Sequence, residues 1–193
     1  MCPLVIYIHG FLSSPLSAKA QEVRRFLQQN ALDIEVITPD LSNYPLEAYQ
    51  QLQQLIDEQP ARKIGLIGSS LGGFMATTLA ERNGLRAVLV NPAVHPYKLM
   101  AGFLGEHVNP YTHVPFLLEE CHVEELRELE VQSFSQPDNI QVLLQTGDET
   151  LDYRQAVSYY QGCSQLVEEG GDHSFQHFDQ HLTAVLEFLD LKG

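Results

Sequence analysis

The stretch Gly68-Ser69-Ser70-Leu71-Gly72 constrains this chain more than any other. It follows directly on an apolar run that reads as a strand, Ile64–Ile67, and leads directly into a helical stretch, Gly72–Asn83. A strand that turns into a helix within so few residues forces its central residue into a strained backbone with an exposed side chain, and flanking glycines remove the clashes. Ser70 is that central residue, because the positions two away from Ser69 are Ile67 and Leu71 rather than glycines. A buried strand followed by a helix is also the repeating unit of a parallel sheet.

The rest of the chain repeats that unit. Strand-like runs are read at Leu4–Ile8, Ile34–Thr38, Ile64–Ile67, Ala87–Val90, Ile140–Gln145 and Gln165–Glu168. Helical spacing of apolar residues marks Ser17–Asn30, Pro45–Gln59, Gly72–Asn83, Asp152–Gln161 and Phe175–Leu191, with Asn83-Gly84 as a stop signal. The pattern predicts an α/β fold: about six mostly parallel strands with helices on both faces. At 193 residues the chain suits one domain. From about 92 to 138 the alternation stops and prolines, apolar residues and an acidic amphipathic stretch around 119–131 take over, which reads as a lid-like insertion in a single domain.

Composition narrows the function classes. With 25 Asp and Glu against 11 Lys and Arg, the formal charge is -14, which repels polyphosphate and argues against non-specific nucleic-acid binding. The N-terminal apolar run Leu4–Ile8 is too short to span a bilayer and lacks the flanks of a signal peptide. Cys2, Cys121 and Cys163 are odd in number and widely spaced, so neither a disulfide framework nor a zinc ribbon is suggested, and a reducing cytoplasm is the default.

A serine hydroxyl needs an imidazole to take its proton and a carboxylate to hold that imidazole. For a serine on a strand–turn–helix junction the expected chain order is Ser, then Asp or Glu, then His. Asp148 and His173 stand just past two later strands, and in a parallel sheet those strand ends share the edge that carries Ser70. Ser70, Asp148 and His173 are therefore the candidate catalytic residues. Glu149 and Asp152 are rival carboxylates on the same loop, with Asp152 also placed to cap the next helix. His9-Gly10-Phe11 follows the first strand, and backbone N–H groups of Phe11 and Leu71 are the candidate oxyanion donors. His9 reads as a residue that orients this loop, and Asp172 as one that points away.

The other titratable and apolar groups have simpler readings. His173, His177 and His181 are spaced for one helical face, but no further ligands accompany them, so no metal is expected. His107, His113, Cys121 and His122 read as surface or packing residues. Leu99, Met100, Phe103, Leu104, Phe116 and Leu117 of the insertion fit either an acyl pocket or core packing.

These motifs resemble those of α/β-hydrolases, and more narrowly of the YqiA-like esterases, small bacterial members of that fold. The resemblance runs nearly end to end, through residues 7–15, 68–73, 146–149 and 170–175, of which the first and last are the more specific. It implies a cofactor-free serine hydrolase of carboxylic esters or thioesters, acyl-CoA esters included, with Ser70 as nucleophile, His173 as base and Asp148 as its partner. The chain opens at the strand that bears the oxyanion loop, where larger members carry two further strands. Its acidity suits an anionic acyl-CoA only with a local positive rim from Lys98, Arg127 or Arg154. Two rivals stand beside this reading: a catalytically inert scaffold that binds a small molecule, and a cofactor-free lyase on the same fold. The oligomeric state is not set by anything in the sequence.

Overall fold

The computed structural model describes residues 2–191. Eight strands and seven α-helices follow in the order β1 (Leu4–Ile8), α1 (Ala18–Gln29), β2 (Glu35–Ile37), α2 (Pro45–Asp57), β3 (Ile64–Ser69), α3 (Leu71–Asn83), β4 (Arg86–Val90), α4 (Pro96–Met100), β5 (Gly105–Val108), β6 (Pro115–Leu118), α5 (Glu120–Leu129), β7 (Ile140–Gln145), α6 (Tyr153–Tyr159), β8 (Ser164–Glu168) and α7 (Leu182–Phe188). Six strands form one sheet in the order β2-β1-β3-β4-β7-β8. Every neighbouring pair in it is parallel.

Side chains alternate between the two faces of a strand, so a strand buried on both sides feeds two cores. Leu4, Ile6 and Ile8 of β1 join Leu66 of β3 and Leu89 of β4 on the face covered by α2, α3 and α5. Val5, Tyr7, Ile67, Val88 and Val90 point to the opposite face, where α1 and α7 pack. Because all six strands run the same way, β1, β3, β4, β7 and β8 end on one edge, and every loop that the sequence marks for chemistry leaves from that edge.

Two expected elements differ from those observed. The helix read as Phe175–Leu191 begins only at Leu182, after a 3-10 turn at Phe178–His181. Phe175 and His177 take positive φ angles of 57° and 61°, which no helix accommodates. Phe175 and Phe178 instead turn inward with their rings edge to face at 6.2 Å, and burial of both outweighs continued helix. The insertion, read as free of strands, contains an antiparallel hairpin of β5 and β6. Four-residue strands, one beginning at a proline, give too short an alternation to register as a period.

The insertion is anchored in the sheet's own core. Leu118, Val123, Leu126 and Leu129 are buried in the cluster that includes β1 and β3. Met100 and Phe116 are buried as well, whereas Leu99, Phe103, Leu104 and Leu117 are exposed. Leu126 is fully buried, so Leu126→Ala is expected to cost about 2–5 kcal/mol. Denaturant unfolding of that variant, followed by circular dichroism, should show a single transition at a lower midpoint; a separate early transition would mean that the insertion unfolds on its own.

Candidate active site

Ser70 sits between the last residue of β3 and the first of α3 with φ 56° and ψ -122°. A non-glycine residue there stores strain of about 1–3 kcal/mol, which the surroundings must hold in place. They do so through four backbone hydrogen bonds: Ser70 N–H donates to the Val90 carbonyl at 3.1 Å, and its own carbonyl accepts from Gly73 at 2.9 Å, Ala93 at 3.0 Å and Phe74 at 3.3 Å. The turn also demands small neighbours. A Cβ on Gly72 would be driven into the backbone carbonyls of Ile8 and His9, and one on Gly68 into that of Gly72.

His173 leaves the loop after β8 and reaches Ser70, with Nε2 to Oγ at 3.2 Å. Its Nδ1 lies 2.9 Å and 3.0 Å from the two carboxylate oxygens of Asp148, on the loop after β7. A ring that donates Nδ1–H to a carboxylate presents Nε2 as an acceptor, so the serine hydroxyl is the donor in the second contact. The Asp148 side chain is 2% exposed. Burial alone would raise its pKa, but the bond from His173 and the backbone N–H groups of Leu151 and Thr150 together hold it below the ordinary carboxylate value. Those two N–H groups donate to Oδ1 at 2.8 Å and 2.9 Å.

The rival carboxylates have other partners. Glu149 accepts the backbone N–H of His173 at 3.0 Å, and Asp152 caps α6 by accepting the N–H of Arg154 at 3.0 Å. Asp172 does not meet the imidazole; it accepts from the Gln176 side chain at 2.9 Å.

Leu71 opens α3, so its N–H has no acceptor within the helix. Phe11 stands on the loop after β1 and lines, with Leu71, His9, Gly10 and Gly72, a cavity of about 30 Å³, room for about one water. His9 is buried, and its Nδ1–H donates to the Gly10 carbonyl at 2.9 Å. Burial lowers its pKa, which keeps the ring neutral in that role. The Phe11 ring meets Phe103 and Phe116 of the insertion edge to face, each at 6.2 Å, so the insertion touches the loop after β1 directly.

The remaining candidates lie apart. His181 pairs with Glu168 at 3.2 Å and His177 stands in a left-handed turn, so His173, His177 and His181 share no face. His122 stacks on Tyr44 and His107 on Phe116, at 4.7 Å and 5.5 Å between centroids. His113 and Cys121 are exposed. Lys98 and Arg154 line one open cleft of about 560 Å³ with His95, while Arg127 is taken up by Glu124 and the Tyr97 ring. Among the described residues no helix is long and apolar enough to cross a membrane. Motif reading passes over two buried amides, Asn91 and Gln145, at the ends of β4 and β7. No local signal distinguishes them, because their side-chain partners lie on distant loops.

A family model described as an uncharacterised protein family, UPF0227, matches residues 4–190. The chain belongs to UPF0227. The membership agrees with the resemblance read from the motifs. A UPF0227 protein of Shewanella sediminis (strain HAW-EB3) is 30% identical over 104 residues, 51% of this chain and 56% of the relative, so the match spans about half the relative's length. Among solved structures, the alpha/beta hydrolase domain-containing protein 10 from mouse superposes with a TM-score of 0.73 at 16% identity, covering 98% of this chain and 90% of that one. The Pyrococcus furiosus esterase Pf2001 gives a TM-score of 0.64 at 16% identity, covering 98% and 80%. At such identities the likeness shows the fold, and this UPF0227 member has the α/β-hydrolase fold.

Because folding lowers the pKa of Asp148, its ionised form stabilises the fold at pH values above the ordinary carboxylate range, and this contribution disappears as pH falls through the lowered folded value. Melting temperatures of the parent and of Asp148→Asn, measured from pH 7 to pH 3, should therefore converge in acid. A gap that stays constant over that range would show that the ionised carboxylate contributes nothing.

Proposed function

We propose that this protein is a serine hydrolase of carboxylic esters or thioesters working through an acyl-serine intermediate. The observation that carries the reading is the continuous relay from Asp148 through His173 to Ser70, at 2.9 Å and 3.2 Å, ending on a serine in a strained turn. The names of its structural neighbours, a hydrolase domain protein and an esterase, point the same way.

In this mechanism Ser70 Oγ attacks the acyl carbonyl while its proton passes to His173 Nε2. Asp148 holds Nδ1–H and stabilises the imidazolium that forms. The negative charge that develops on the carbonyl oxygen is met by the N–H groups of Phe11 and Leu71. The tetrahedral species collapses as the C–O or C–S bond breaks and the imidazolium protonates the departing alkoxide or thiolate. Water then attacks the acyl-serine, giving its proton to Nε2, and the carboxylic acid leaves as Ser70 recovers its hydrogen. The insertion acts as the lid, with its exposed Leu99, Phe103 and Leu104 available to the acyl chain. Three unpaired cysteines suit the reducing cytoplasm.

A fluorophosphonate should add one adduct to the parent by intact mass and none to Ser70→Ala. The same variant should lose turnover on an ester panel by a factor on the order of 10⁴ to 10⁶ while keeping its melting temperature. Near-parental turnover by Ser70→Ala would overturn the mechanism, and labelling without turnover of any ester would favour a lyase.

A further inference from the structure

The loop that carries His173 has no regular secondary structure between Gly170 and Gln176, yet its backbone is held at nearly every step. Buried backbone groups outside helices and sheets must find side-chain partners or water. Two neutral amides supply most of them here. Gln145, 3% exposed, accepts from the N–H of Gln176 at 2.8 Å and of Asp172 at 3.3 Å, and its Nε2 donates to the Gln176 carbonyl at 2.9 Å and to Glu168 at 3.1 Å. Asn91, 2% exposed, donates Nδ2–H to the Asp172 carbonyl at 3.0 Å and to that of His173 at 3.3 Å, and its Oδ1 accepts the backbone N–H of Gln145 at 3.0 Å.

Residue 91 is thereby tied to all three segments of the relay. Val90 before it and Ala93 after it bond the backbone of Ser70. Its side chain grips the strand end that leads, three residues on, to Asp148, and also the peptide carbonyl of His173 itself. An amide suits this set, since the side chain donates to two carbonyls and accepts from an N–H at once; a hydroxyl has a single donor, and a carboxylate accepts without donating. The positive φ of 41° at this position is also one that asparagine tolerates better than most residues.

We infer that Asn91 and Gln145 are positioning residues for the reaction, a buried amide brace that sets where His173 stands relative to both Ser70 and Asp148. This rests on the serine-hydrolase reading above. Neither residue touches the reacting atoms, so their effect falls on the geometry of proton transfer. Misplacement of a catalytic group by about 1 Å is worth on the order of 100-fold in rate.

The test compares the parent with Asn91→Ala, Asn91→Asp and Gln145→Met, using a neutral p-nitrophenyl ester and active-site titration with a fluorophosphonate carried to completion. Turnover per titrated serine should fall about 10- to 100-fold in Asn91→Ala and Gln145→Met, with KM within a factor of two. In Asn91→Asp the introduced carboxyl can donate only when protonated, so its turnover relative to the parent should rise as pH is lowered. A merely structural role would reduce the titratable fraction and the melting temperature while leaving turnover per titrated serine unchanged, and that result would overturn the brace. If Asn91→Ala does not fold, Gln145→Met and the pH trend of Asn91→Asp decide the matter on their own. A parent that neither labels nor turns over any ester would overturn the serine-hydrolase reading, and the brace with it.

Discussion

Gly72 lies so near the carbonyls of Ile8 and His9 that no side chain fits between α3 and β1, and the geometry of the whole site hangs on that contact. It brings the first turn of α3 against the end of β1, so that Ser70 and the loop of Gly10 and Phe11 are neighbours: a Cβ on Gly10 would lie 3.2 Å from that of Ser70. A larger residue at position 72 would lift the helix away from the end of β1 and separate Ser70 from the loop of Gly10 and Phe11. The strained backbone of Ser70 is held by the same packing, because strain persists only where the surroundings over-determine it.

The sheet separates its apolar and polar work by position along the strands. Toward the middle of β1, β3 and β4, both faces are apolar and buried, as the two clusters show. At the C-terminal edge the buried residues become polar: His9, Ser69, Asn91 and Gln145 close β1, β3, β4 and β7. Each such group costs free energy unless it is bonded, and the side-chain bonds of Asn91 and Gln145 run to the strand end before Asp148 and to the loop that holds His173. The carboxylates of the edge follow the same rule. Asp148 serves a ring, Glu149 a peptide N–H and Asp152 a helix start, so that three acids within five residues have three separate uses.

The insertion joins the edge through aromatic contacts. Phe11, one of the two proposed oxyanion residues, packs on Phe103 and Phe116, one ring exposed and the other buried. Movement of the exposed part of the insertion would thus be felt at the loop that carries Phe11, while its buried leucines keep the base of the insertion within the main core.

Much of this architecture is written in local patterns. Apolar runs separated by helical periods specify a parallel sheet, and a serine framed by glycines between a strand and a helix specifies the sharp turn, because both depend on sterics within a few residues. Residue order along the chain also places Asp148 and His173 on the edge of Ser70, since parallel strands must all end there. Local patterns could not choose among Asp148, Glu149 and Asp152, because the choice turns on which side chain points at a ring 25 residues away. They missed the broken start of the last helix, where burial of Phe175 and Phe178 overrides helical spacing, and the short hairpin of the insertion. Nor could they reveal Asn91 and Gln145, whose partners lie up to 82 residues away in sequence. Those features are decided by hydrogen bonds and packing between distant segments, which exist only once the sheet has brought the segments together.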